Sequence, residues 1–237
     1  MQEKLLEING ARLYCRVDGD GEPLVFLHGN GEDHSYFAPQ IAFFSKDYKC
    51  VALDSRGHGQ SAFGDGDFSL AQMAEDLAAV LDSLDIQRAH VIGFSDGGNI
   101  ALLFALAYPT RVKSLIVVGA NVSPKGVKRR IQMPIVLAHA ALGLFAFKSE
   151  KTRRKRKIWG LMIGQPDISF EELAALPMPA LVLAGSNDMI KESHTRAIAA
   201  ALPNAKLHIV PKSTHFLSST HADLFNRIVL DFLHLST

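Results

Sequence analysis

Six short apolar runs constrain the architecture of this chain: PLVFLHG (23–29), KCVALD (49–54), AHVIGF (89–94), KSLIVVGA (113–120), PALVLAG (179–185) and AKLHIV (205–210). Each is continuous rather than alternating, the pattern of a strand buried on both faces of a sheet. Segments with helical spacing lie between them. SLAQMAEDLAAVLDSLD (69–85) repeats apolar residues every three or four positions behind a Ser69 N-cap, and GGNIALLFALAYP (97–109) stops at a proline. IKESHTRAIAAALP (190–203) and HADLFNRIVLDFLHL (221–235) are amphipathic, whereas Pro39 delays a helix in DHSYFAPQIAFFS (33–45). Strands alternating with helices predict a mostly parallel sheet covered on both faces. Two more strands, LLEING and ARLYCRVDG, meet at Asn9-Gly10, a hairpin signal, and bring the expected sheet to eight strands.

At 237 residues the chain is long enough for one large α/β domain and short for two. Its 48% hydrophobic and 21% charged content is ordinary for a soluble globular protein, and a net charge of +1 argues against a whole-chain nucleic-acid binder. Cys15 and Cys50 sit in strand contexts and read as small buried hydrophobes rather than a disulfide. MQEKLLEING lacks a basic stretch followed by an apolar one, so no signal peptide is expected and a cytoplasmic location is.

Residues 121–176 break the rhythm and offer no convincing strand. Their apolar stretch, Ile131 to Phe147, is 17 residues long and interrupted by Pro134, His139 and Gly143, which makes a poor membrane span. An inserted helical lid (121–176) within a core domain (1–120 and 177–237) is the better reading. It starts at the C-terminal end of the 113–120 strand, where open parallel sheets place ligand sites. Residues 121–160 also hold eleven Lys/Arg against one acid, Glu150, leaving 14 basic and 23 acidic residues elsewhere.

Gly93-Phe94-Ser95-Asp96-Gly97 matches G-x-S-x-G between a buried strand and a helix, the setting of a nucleophile elbow. A serine there needs a base, and the base needs a carboxylate that fixes its tautomer. The order expected is Ser, acid, His. Asp96 is too close in sequence to reach a histidine behind the elbow, and Asp167 falls in the lid. Asp188 stands just beyond a strand end, in SNDMI, and is the expected acid; a plain turn or cap role and Glu192 remain the alternatives. Among later histidines, His194 lies on a helix, His208 inside a strand and His221 at a helix start. His215, in PKSTHFLSS after the final strand, is the expected base. His28-Gly29-Asn30-Gly31 follows the first buried run, so the Asn30 and Asp96 backbone N–H groups are the expected oxyanion-hole donors. His28 has no second ligand at metal spacing and reads as structural.

HGNG, DSRGHGQS (54–61), GFSDGGN, GSNDM and STHF, in this order, resemble the α/β-hydrolase fold family over nearly the whole chain. The resemblance implies that Asp54 and Arg56 brace loops near the elbow, with His58 also outside the catalytic set. Family members with an aspartate nucleophile are set aside by Ser95. SDGG with a following GAN is similar to the valacyclovir hydrolase branch, which implies a substrate ammonium held by Asp96. An acid in the first turn of a helix is also favourable in its own right.

The expected activity is that of a carboxylesterase-like serine hydrolase acting on a small-molecule ester, apolar or amine-bearing, without cofactor or metal. C–C bond hydrolysis, thioester, lactone or aminoacyl-ester cleavage on the same residues are the enzymatic alternatives, and a non-catalytic ligand-binding protein is the other. Phe94, Asp96, Trp159 and Met162 are the candidate substrate contacts, with the 131–147 stretch facing the site. The basic run 151–157 reads as a solvated helix face, an attractor of anionic substrates such as a coenzyme A thioester, or a membrane contact.

Overall fold

Asn9 and Gly10 both adopt positive φ, 46° and 72°, the twist a two-residue hairpin turn requires. They join β1 (Gln2–Ile8) to β2 (Ala11–Asp18) in antiparallel register, Ile8 opposite Ala11. The computed structural model describes residues 1–145 and 149–235; Phe147 and Lys148 of the sequence features above lie outside the described residues. β3 (Glu22–Leu27), β4 (Tyr48–Leu53), β5 (Ala89–Phe94), β6 (Val112–Val118), β7 (Ala180–Gly185) and β8 (Ala205–Val210) complete one eight-stranded sheet. Its order is β1-β2-β4-β3-β5-β6-β7-β8, parallel from β4 onward and antiparallel where β2 meets its neighbours. The mostly parallel eight-stranded α/β sheet expected from the apolar runs is therefore present.

Successive residues of the central strands face opposite helix layers, so neither side of the sheet is polar. Val25 and Leu27 pack with α2 (Leu70–Ser83) and α3 (Asp96–Ala107). Leu24 and Phe26 pack on the other side with α1 (Ala38–Phe44) and the C-terminal helix Ala222–His234. Ser69 caps α2 by accepting from Gln72 N–H at 3.1 Å. Cys15 and Cys50 are buried free thiols on these strands.

Between β6 and β7 the chain forms α4 (Arg129–Phe145), α5 (Glu150–Gly164) and α6 (Phe170–Leu173). Arg156 stands opposite Gly143 and His139 opposite Gly160, so α4 and α5 run antiparallel. The apolar stretch of α4 does not face inward as a whole: Met133, Leu137 and Leu144 are 42%, 64% and 71% exposed. A helix docked along one edge turns its remaining apolar positions to solvent, and the stretch had no polar face to set its direction. Leu161, Ile168, Leu173 and Leu176, by contrast, join the main core. Among the described residues no helix is long and apolar enough to cross a membrane. After β7 come α7 (Glu192–Ala201), α8 (Leu217–Thr220) and α9 (Ala222–His234).

Candidate active site

Ser95 sits at φ 54°, ψ −119°, between the end of β5 and the start of α3. Such a conformation is strained for a residue with a side chain and survives only where its surroundings enforce it. The two glycines of the motif supply the room. A Cβ on Gly93 would stand 2.2 Å from the Gly97 carbonyl oxygen, and one on Gly97 2.0 Å from that of Leu27. The turn is thus pressed against β3, and the Ser95 N–H donates to Val118 O at 2.8 Å.

Ser95, His215 and Asp188 come together. His215 Nε2 is 3.0 Å from Ser95 Oγ, and His215 Nδ1 is 2.7 Å from Asp188 Oδ1. Asp188 follows β7, and its Oδ1 also accepts from Ile190 N–H at 2.9 Å. Histidine and aspartate are both buried. Gly119, at φ 59°, lets the backbone pass beneath them: a Cβ there would lie 2.8 Å from the His215 ring. In this geometry the aspartate fixes the ring so that Nε2 faces the hydroxyl, which can then lose its proton as it attacks.

The loop after β3 is closed on itself. Glu32 N–H donates to Gly29 O at 3.2 Å, and Gly29 N–H donates to Glu32 Oε2 at 3.1 Å. Burial pushes the Glu32 carboxyl up to about 7. Asn30, inside this loop, has no hydrogen-bond partner for its backbone N–H among the described residues, and Asp96 opens α3, where the N–H has no partner within the helix. The Asn30 side chain donates to Asp96 Oδ2 at 2.9 Å and to the Ile158 carbonyl of α5 at 2.8 Å. Asp96 Oδ1 accepts from Asn99 Nδ2 at 3.2 Å. Burial raises the Asp96 pKa, against the lowering effect of these two amides.

A cavity of about 30 Å³ touches Ser95 and Asp96. Val127, Ile135, Met162 and Ile190 give it apolar walls, and Gln132 and Gln165 add polar ones. Met162, a candidate substrate contact, lines this cavity. Phe94 does not: it is buried, stacked on Tyr36 at 4.4 Å and 10°, with the His215 ring 4.8 Å away. Its position on β5 directs it into the core beneath the site, so it shapes the histidine's seat rather than the cavity wall. Trp159 lines a separate groove with Lys151, Arg154 and Lys155 of α5, although residues three apart on a helix lie only about 60° around its axis from each other.

His28 accepts from Ser55 N–H at 3.0 Å with its Nε2, and burial lowers its pKa to about 4, keeping the ring neutral. Asp54 accepts from the backbone of His34 and Gln60, at 2.7 and 2.8 Å. Arg56 is buried and grips Asp76 of α2 with two bonds of 2.8 and 2.9 Å. Sequence reasoning missed Glu32, Gln132 and Gln165. Glu32 was legible as an acid two residues beyond Asn30; the two glutamines carry no spacing signal and arrive by helix packing alone.

A sequence model of the alpha/beta hydrolase fold matches residues 22–142. The candidate carbamate hydrolase RutD of Caulobacter sp. (strain K31) is 30% identical over 259 residues, 93% of this chain and 95% of that one. The human serine hydrolase BPHL is 29% identical over 255 residues, 95% of this chain and 84% of that one. Among solved structures, a hydrolase from Pseudomonas aeruginosa PA01 superposes with a TM-score of 0.81 at 25% identity, covering 98% of each chain. The matched model spans more than half of the chain and the relatives nearly all of it, and the chain belongs to the alpha/beta hydrolase fold family.

Proposed function

We propose that this hydrolase cleaves a small carboxylic ester through Ser95, His215 and Asp188. The observation that carries the reading is the unbroken chain from Asp188 Oδ1 through the His215 ring to Ser95 Oγ, 2.7 and 3.0 Å. Ser95 attacks the ester carbonyl as His215 takes its proton. The Asn30 and Asp96 N–H groups receive the developing oxyanion, each such donor being worth ~3 kcal/mol of transition-state stabilisation. His215 then protonates the leaving alcohol, and water activated by the same ring releases the acyl group from Ser95. Residues 121–176 act as the lid, which Ile135, Met162 and Gln165 of the cavity wall support. The cavity volume of about 30 Å³ favours a short acyl group.

A second reading concerns what that acyl group carries. Gln132 Oε1 is buried without a hydrogen-bond partner, and the Asp96 carboxylate lines the same cavity. Two acceptors facing one small space favour a substrate that brings a donor, such as the ammonium of an amino-acid ester.

Turnover of p-nitrophenyl acetate by the wild type and by Ser95→Ala tests the assignment, with a fluorophosphonate probe as a second reporter. The variant is expected to lose both turnover and labelling while keeping its circular dichroism. Undiminished turnover in Ser95→Ala overturns the reading.

A further inference from the structure

The cations of the basic segment do not share one outward face. Lys151, Arg154 and Lys155 of α5 line a groove of about 900 Å³, and Arg12 of β2, remote in sequence, lines the same groove. Arg153, Arg156 and Lys157 border a different depression. Two half-buried rings stand among the first set. Lys155 Nζ lies 4.9 Å from the Trp159 ring centroid, and the Arg154 guanidinium 5.5 Å from that of Phe63. Asp65 is the one acid bordering the groove among the described residues, and Glu150 pairs with Arg154 at the surface. Gly31 and Ile158 also line the groove. No atom stands within 4 Å of where a Gly31 Cβ would be, and the Ile158 carbonyl holds Asn30, which in turn holds Asp96 beside Ser95.

We propose that this groove seats the leaving group of the substrate, and that the leaving group is a thiol carrying phosphates and a flat heterocyclic base. The inference rests on Ser95 acting as the nucleophile described above, and it adds short-chain acyl thioesters to the esters that Ser95 would cleave. Guanidinium and ammonium groups meet the phosphates. Trp159 and Phe63 offer π-faces to the base. Ser95 Oγ bonds to the thioester carbonyl carbon as the C–S bond breaks, and the proton taken by His215 passes to the sulfur to give the free thiol. Water then attacks the acyl-serine. Its proton returns through His215 to Ser95 Oγ, and the carboxylic acid leaves. A lipid surface is the other polyanion to consider. It is disfavoured because the four cations line the groove together with two half-buried rings, a combination that suits a phosphate-bearing planar base better than a lipid headgroup.

The test measures binding of 3′-phosphoadenosine 5′-diphosphate to Ser95→Ala by calorimetry. It also measures hydrolysis of acetyl-coenzyme A against p-nitrophenyl acetate by the wild type and by the double variant Arg12→Glu/Lys155→Glu. The nucleotide is expected to bind, more weakly as salt rises. The double variant is expected to lower the thioester-to-ester ratio of kcat/KM by about tenfold or more, because reversing two charges changes the groove by four units. Trp159→Ala is expected to weaken nucleotide binding by roughly fivefold to a hundredfold, the range for losing one base stack. Turnover of the neutral ester with no nucleotide binding and an unchanged ratio overturns this inference and leaves the Ser95 reading standing. No turnover of either substrate overturns both. Sedimentation with phosphatidylglycerol vesicles without nucleotide binding assigns the cations to lipid and overturns it as well.

Discussion

Asn30 donates its side-chain amide to the Asp96 carboxylate at 2.9 Å, and the same nitrogen reaches the Ile158 carbonyl at 2.8 Å. One amide therefore ties the loop after β3 to the start of α3 and to the helical insertion. Its own backbone N–H has no partner among the described residues and is the proposed donor to the oxyanion. Asn30→Ala keeps that N–H but frees the loop. Hydrogen bonds to charged groups are worth ~1.5–3 kcal/mol, so kcat on p-nitrophenyl acetate is expected to fall about tenfold to a hundredfold. KM is expected to change little, because the donor is needed most where charge develops. Steady-state kinetics decide it, and an unchanged kcat removes the role.

Glu32 makes a prediction about pH. Burial raises its pKa to about 7 in the folded chain, from an ordinary value of 4.5. Between those values the unfolded chain releases the proton while the folded chain keeps it. The folded state then binds more protons, so this group's contribution to stability is fully present below pH 4.5 and is lost as pH rises through about 7. Glu32→Gln cannot ionise, and its amide oxygen can still accept from Gly29 N–H. Urea midpoints at pH 5 and pH 8 are expected to differ less in the variant than in the wild type. Equal pH dependence in the two proteins rules the effect out.

Arg56 and Asp76 pair inside the protein, both almost wholly buried. Breaking such a pair leaves a charge without compensation and costs about 3–5 kcal/mol, a fall in Tm of roughly 6–20 °C at this chain length. Arg56→Ala is expected to show that loss. The double variant Arg56→Met/Asp76→Leu is expected to regain only part of it, because Arg56 also donates to the Asn9, Phe63 and Asp65 carbonyls. A Tm within 2 °C of the wild type, roughly 1 kcal/mol or less, defeats the prediction for the single variant.

Where the sequence carried a local physical signal, the fold and site were legible. Asn9-Gly10 announced its hairpin because few residue pairs accept two positive φ values in succession. Ser95 between Gly93 and Gly97 announced a tight strand-to-helix turn because nothing larger fits against Leu27 O and Gly97 O. The histidine and aspartate were legible from chain order and from their places after strand ends. The docking edge of the helical insertion was not. Ile135 borders the Ser95 cavity while Met133 and Leu137, two residues to either side, are exposed. A helix that is apolar all round gives no clue to which edge docks. Trp159 and Met162 likewise lie on one helix and open onto different concavities, a division made by the packing of α5 rather than by residue type.

Met162 yields the most specific prediction about substrate choice. The cavity beside Ser95 holds about 30 Å³, little more than the space of one small group, and Met162 forms part of its wall. The wild type is accordingly expected to prefer p-nitrophenyl acetate to the hexanoate. Met162→Ala removes three heavy atoms from the wall and opens room for added methylenes. Each buried methylene contributes about 0.8 kcal/mol, so two accommodated methylenes raise the hexanoate-to-acetate ratio of kcat/KM by roughly tenfold or more. Met162 is only half-buried, which keeps the expected loss of stability small. Thr152→Ala, on the same helix but outside the cavity, serves as the control and is expected to leave the ratio where it was. A ratio that stays constant in Met162→Ala places the acyl chain elsewhere and withdraws the cavity as its site.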